Sequence, residues 1–181
     1  MNASDQPCRD RELAEAVRLR ELGTPESRAE ARRLLLDLAR RLPADAGVAY
    51  QTAWIHDVLG LEAEAVPHYE RALAVPGGLG PADRAEALLG LGSTYRILGR
   101  QAEAESLLRS AVAEFPGHGG LRVFWAMALF GSGRHEHAVQ LLLRLLAATS
   151  GDPSVRDFRR AIETYADELT PAVRQEPRPP L

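Results

Sequence analysis

His56-Asp57 is the most enzyme-like pair in the sequence, because a carboxylate that orients one imidazole nitrogen prepares the other as a base. Adjacent residues of a helix point about 100° apart, however, and do not face each other. His56 is therefore expected to be a packed histidine, bonded to backbone or to a neighbour. His135 and His137, with Glu136 between them, suggest zinc at first sight. They stand on different faces of a helix start and have no further ligand in reach, so a tetrahedral site is not expected. The stretch Gly90-Leu91-Gly92-Ser93 has the composition of a phosphate loop, but it falls inside a helical pattern and no Gly-Lys pair follows it. No Gly-x-Ser-x-Gly elbow occurs. The single cysteine, Cys8, has no base beside it and lies in a polar stretch, as an incidental exposed thiol would. The residues thus imply no catalytic group, no metal and no cofactor, and the chain is not expected to be an enzyme.

Charge narrows the partners. All 22 basic residues are arginine, set against 25 acidic ones, for a formal net charge of −3. That balance gives no electrostatic case for nucleic acid or an anionic membrane. Arg32, Arg33, Arg40 and Arg41 are interleaved with Glu30 and Asp37 and lack a neighbouring aromatic, the pattern of a solvated helix face. The absence of lysine, with abundant alanine and leucine, points to a GC-rich bacterial genome. "MNASDQPCRD" has no apolar core of a leader, and no window approaches the roughly 18 apolar residues of a membrane span. A cytoplasmic protein is expected.

The elements that carry these residues read as helices throughout, with apolar residues at i, i+3, i+4 and i+7 and no period-two alternation. Nine helices are expected, near 9–22, 25–42, 46–59, 62–75, 83–98, 101–115, 119–132, 135–149 and 153–169. Thr24-Pro25 and Asp152-Pro153 mark starts, and Asp83 with Glu86 forms a capping-box-like start. Gly23, Gly60, Gly99, Pro116-Gly117 and Gly133 mark stops. Pro67 lies well into its helix, where it costs about 3 kcal/mol, so a bent or late-starting helix is expected there. Residues 1–8 and the proline-rich 171–181 read as disordered tails.

Gly60, Gly99 and Gly133 each separate two helices and are spaced 39 and 34 residues apart. The difference matches the insertion "GGLGP" at 77–81, which reads as a lengthened, tolerant loop and leaves a period of 34. The middle unit carries Leu88, Leu91, Gly92, Tyr95, Ala104, Leu108, Ala111 and Pro116 in register with the tetratricopeptide repeat, which it resembles. The unit from Ala46 keeps Ala53, Gly60, Ala65, Tyr69 and Ala72, with His56 where tyrosine is usual. The unit from Gly119 keeps Ala126, Gly133, Ala138 and Leu142, with Trp125 at a leucine position. The stretch Thr52 to Leu73 also resembles a group of bacterial tetratricopeptide proteins.

The resemblance implies an all-α solenoid of antiparallel helix pairs over 9–170, divided into a degenerate repeat 9–43, repeats 46–79, 85–118 and 119–152, and a cap helix 153–169. The degenerate repeat is expected to have a longer turn around "TPESR". Gly92 takes the position where the two helices of a repeat cross closely. The resemblance further implies a concave groove lined by first helices, here Tyr50, Trp54 and Asp57, then Leu89, Ser93, Arg96 and Ile97, then Val123, Met127 and Phe130. Arg20 and Arg96 are the basic residues placed along it, too few for the carboxylate clamp that some such proteins use. A protein or peptide partner presenting an apolar side chain or helix stripe is expected, with Trp54 as anchor. A homo-oligomer that covers the groove or an end of the array is the alternative. Met127 and Phe130 could be covered by the cap helix.

Overall fold

The computed structural model describes residues 6–169, and the expected tail 171–181 lies outside them. Ten helices follow one another, with no strand among the described residues: α1 (Gln6–Leu22), α2 (Pro25–Arg41), α3 (Ala46–Val58), α4 (Glu62–Ala74), α5 (Pro81–Ile97), α6 (Gln101–Glu114), α7 (Gly119–Gly131), α8 (His135–Thr149), α9 (Pro153–Asp157) and α10 (Arg159–Glu168). Each odd helix from α1 to α7 pairs with the one that follows. Successive pairs stack, α2 on α3, α4 on α5 and α6 on α7, and α5 also touches the first helices on either side of it.

Three turns are copies of one another. Gly60, Gly99 and Gly133 have φ of 69°, 75° and 76°, left-handed values that glycine adopts without strain. The residue after each glycine donates its N–H back to a last-turn carbonyl: Leu61 to His56, Arg100 to Tyr95 and Arg134 to Leu129, at 2.8–2.9 Å. This closes each first helix with the bonding of a Schellman end. The α1–α2 turn is shorter, not longer, than the others. It consists of Gly23 and Thr24, because Thr24 caps α2 through Ser27 N–H at 3.1 Å and draws "PESR" into the helix.

The core runs through the stack as three apolar clusters. Leu35 and Ile55 join α1, α2 and α3; Tyr50, Tyr69, Leu88, Leu91, Leu108 and Leu121 fill the centre; Ala126, Leu129 and Ala138 hold α7 to α8. Alanine and glycine at the crossings let backbones approach. A Cβ on Gly92 would stand 2.5 Å from Leu108 Cγ, so Gly92 lets α5 and α6 close on each other as its repeat position implies. Gly90 has the same role toward α4, since a Cβ there would meet Tyr69 Cζ at 2.6 Å.

Several expected boundaries change. The first helix begins at Gln6, so residues 6–8 of the expected tail are helical; 1–5 lie outside the described residues. α5 starts at Pro81 behind Gly80, two residues before Asp83, and Asp83–Glu86 is therefore no capping box. α4 starts at Glu62 and runs through Pro67. The carbonyl that loses its N–H is that of Ala63, an exposed residue with access to water. The "GGLGP" loop is not indifferent to substitution: a Cβ on Gly78 would meet Ala46 Cβ and Val75 Cγ1 at 2.7 Å, because the loop folds back on the start of α3. The expected cap helix breaks at Phe158 into α9 and α10. Arg159, the first residue of α10, donates to the carbonyls of Ala147 (2.7 Å) and Ala148 (3.1 Å), satisfying the open end of α8. Among the described residues no helix is long and apolar enough to cross a membrane.

Candidate functional site

A hollow of about 380 Å³ opens between α3 and α5, floored by Tyr69 of α4 and closed on one side by Phe124 of α7. Two helical stripes form its walls. On α3 they are Tyr50, Trp54, Asp57 and Val58; on α5, Glu86, Leu89, Gly90, Ser93, Thr94 and Ile97. Each stripe repeats at three- and four-residue steps, so each presents one face of its helix. Glu62, in the first turn of α4, stands at the rim.

Trp54 is half-buried between two partners. Its ring centroid lies 5.6 Å from that of Tyr50, and the Arg20 guanidinium sits 3.6 Å above it. Arg20 belongs to α1 and is 8% exposed. It bonds Gln51 and is not a wall residue of the hollow, so its expected place along the groove is corrected to a packed cation behind Trp54. Burial lowers its pKa, but an arginine keeps its proton. Tyr50 is also more deeply placed than a contact residue needs, at 2% exposure, and contributes to the floor.

Asp57 ties three helices together. It accepts from Tyr69 Oη at 2.7 Å and from Thr94 Oγ1 at 2.9 Å, joining α3, α4 and α5 at one carboxylate. Burial pushes its carboxyl above the ordinary value, the two donors oppose that, and the nearby Glu62 charge adds to it. Burial likewise raises the Tyr50 and Tyr69 phenols, so Tyr69 remains a donor at neutral pH. Glu86 at the other end of the hollow meets His118 Nε2 at 3.2 Å.

His56 does not face Asp57's oxygens. It is 2% exposed; Nδ1 lies 2.6 Å from the Thr52 carbonyl and Nε2 accepts from Arg32 Nε at 3.3 Å. The carbonyl calls for a proton on Nδ1 and Arg32 donates to Nε2, so both nitrogens are occupied. His68 stacks on it at 5.3 Å, and burial lowers the His68 pKa to about 4. His135 lies against the Phe130 ring at 4.5 Å, while His137 lines a separate hollow with Trp125 and Arg144.

Of the ten residues projected onto the groove, Tyr50, Trp54, Asp57, Leu89, Ser93 and Ile97 meet in this hollow. Arg96, Met127 and Phe130 do not. They line a second hollow of about 250 Å³ with Val139 and Leu142 of α8, and Val123 lines neither. α10 packs on α8 without reaching α7, so Met127 and Phe130 stay 45% and 61% exposed instead of being covered by the cap. Sequence reasoning missed Glu62, Tyr69, Glu86, Thr94 and Phe124. Glu86 was legible, standing one turn before Leu89 on the same stripe. Tyr69 and Glu62 come from a second helix, outside a register built on first helices.

Stacked helix pairs with an open hollow between consecutive first helices define a helical-repeat protein. The family model described as a tetratrico peptide repeat matches residues 46–169, and the chain belongs to that family. Tetratricopeptide repeats generally mediate protein–protein interactions and are typically non-enzymatic. A comparison with curated proteins gives no match.

Proposed function

We propose that the chain is a non-enzymatic interaction module, which holds a segment of a protein partner in the hollow between α3 and α5 without a carboxylate clamp. The observation that carries this reading is the meeting of six projected groove residues around one cavity of about 380 Å³, a size in the range of ligand-binding clefts. Trp54 is the anchor. The reading includes repeats at 46–79, 85–118 and 119–152, a degenerate pair at 9–43, no cofactor, neither nucleic acid nor membrane as partner, and a bacterial cytoplasmic setting. It is tested by affinity capture with wild-type and Trp54→Ala chains, bound proteins being quantified for both. Loss of the Trp54 contact should weaken capture by about 2 kcal/mol, roughly thirty-fold, with the far-UV circular dichroism retained. Equal capture by a folded Trp54→Ala chain would remove the groove from the reading.

A second reading, self-assembly, is favoured by the exposed apolar strip of Met127, Phe130, Val139, Leu142 and Leu146 on α7 and α8. Light scattering of wild type and Phe130→Ser separates the two. A dimer that Phe130→Ser dissociates supports self-assembly, and a wild-type monomer excludes it.

A further inference from the structure

Resting on the groove reading, we infer that the partner segment inserts one arginine or lysine side chain into the hollow between α3 and α5, its cationic head beside Glu62 and Asp57. The hollow itself sets the chemistry. Its walls carry Asp57, Glu62 and Glu86 and no basic residue, although the chain as a whole has 22 arginines. Glu86 is already engaged by His118. Asp57 spends one lone pair of each oxygen on Tyr69 and Thr94, which leaves further acceptor capacity on both. Glu62 has no ion pair or hydrogen bond among the described residues, and its charge acts on Asp57 across the rim. Two like charges thus face one partly enclosed space without a counter-ion.

The wall between them suits a cation's stem. Trp54 stands one turn from Asp57, with Val58 and Ile97 beside the acidic end, and Ile97 is 57% exposed. Arginine and lysine lay their methylenes on apolar surface while the head stays polar. The protein already shows that this aromatic accepts such a group, because Arg20 rests on the same Trp54 ring. A purely apolar side chain would fill the middle of the hollow and bury Glu62 and Asp57 without compensation, which is unfavourable. The apolar contact expected from the sequence is kept by a neighbouring residue of the segment, placed against Leu89 and Phe124.

The test selects binders from a display library of random peptides about twelve residues long against the full chain. One selected peptide is then synthesised with its basic residue intact and replaced by norleucine, which keeps the stem and removes the charge. Both are titrated into wild type, Glu62→Gln and Trp54→Ala. The expected result is enrichment of an arginine or lysine beside an apolar residue. Norleucine should weaken binding to wild type about tenfold and to Glu62→Gln less than about threefold. Selected peptides without a cation, or a norleucine form that binds wild type as tightly as its parent, overturn the inference and leave the groove standing if Trp54→Ala still abolishes binding. Peptides indifferent to Trp54→Ala, or no selected peptide at all, overturn the groove reading and this inference together. The norleucine comparison on wild type stands whether or not Glu62→Gln folds.

Discussion

Adding one methyl group at Gly92 tests how closely α5 and α6 approach. In Gly92→Ala the new Cβ would lie 2.5 Å from Leu108 Cγ and 2.6 Å from Cδ2, against a normal carbon–carbon separation of about 3.5–4.0 Å. Roughly 1 Å must be recovered by the two helices parting or Leu108 moving. Leu108 is fully buried and the contact is at its branch atom, so a rotation of its methyls does not relieve it. Overpacking costs about 1–3 kcal/mol, and a shortfall of this size at a buried branch atom belongs to the upper part, about 2–3 kcal/mol, offset by about 1 kcal/mol from the better helix propensity of alanine. A net loss of about 1–2 kcal/mol is expected from urea unfolding followed by far-UV circular dichroism, with Gly92→Leu at the high end of the overpacking range. Gly117→Ala is the control. Nothing lies within 4 Å of a Cβ there and φ is not positive, so its effect should stay within about 0.5 kcal/mol. Leu108→Ala costs about 2–5 kcal/mol alone but should cost about 1 kcal/mol less in the Gly92→Ala background, where it makes room for the methyl. A Gly92→Ala chain as stable as wild type, or additive with Leu108→Ala, would refute the close crossing.

His56→Ala should lower unfolding stability by about 2–3 kcal/mol, since it empties a buried site and frees the Arg32 and Thr52 partners; any turnover reaction that depends on His56 would contradict its structural role. His68, with a folded pKa of about 4 against about 6.5 unfolded, favours folding fully above pH 6.5 or so and loses that contribution as the pH falls toward 4, where the unfolded chain binds the proton first. Its partial exposure reduces the effect to about 1–2 kcal/mol, measured as the difference in pH slope between wild type and His68→Gln. Asp57 contributes with the opposite sign on acidification but is common to both chains, so identical slopes would refute the assignment to His68.

The helices were readable because their punctuation is local. Thr24 and Asp152 cap as their side chains dictate, and the glycines at 60, 99 and 133 turn as only glycine does cheaply. The break at Phe158 was not readable. It depends on Arg159 reaching the end of α8, a contact between elements, and the helical pattern of 153–169 carries no sign of it. The same holds for the loop, where Gly78 gives no local signal that its neighbour is Ala46, more than thirty residues earlier. Within the site, periodicity placed the walls on α3 and α5. It misplaced Arg96, which stands one residue from Ile97 yet faces the other hollow, because adjacent helical positions diverge by about 100°. Glu62, the second carboxylate beside Asp57, escaped because it arrives from α4, as does Tyr69.

The Asp57 knot has a mechanical consequence. It joins the pair α3–α4 to the pair α5–α6 by hydroxyl donors in a partly buried place, which dissolved ions screen little. The next joint, from α5–α6 to α7–α8, is crossed by the Glu105–Arg134 ion pair and by the contact of His118 Nε2 with Glu86, both at or near the surface. Ionic strength therefore acts on the two joints unequally. Salt screens the Glu105–Arg134 pair and leaves the Asp57 bonds nearly untouched, while one apolar cluster running from α3 to α7 holds both joints.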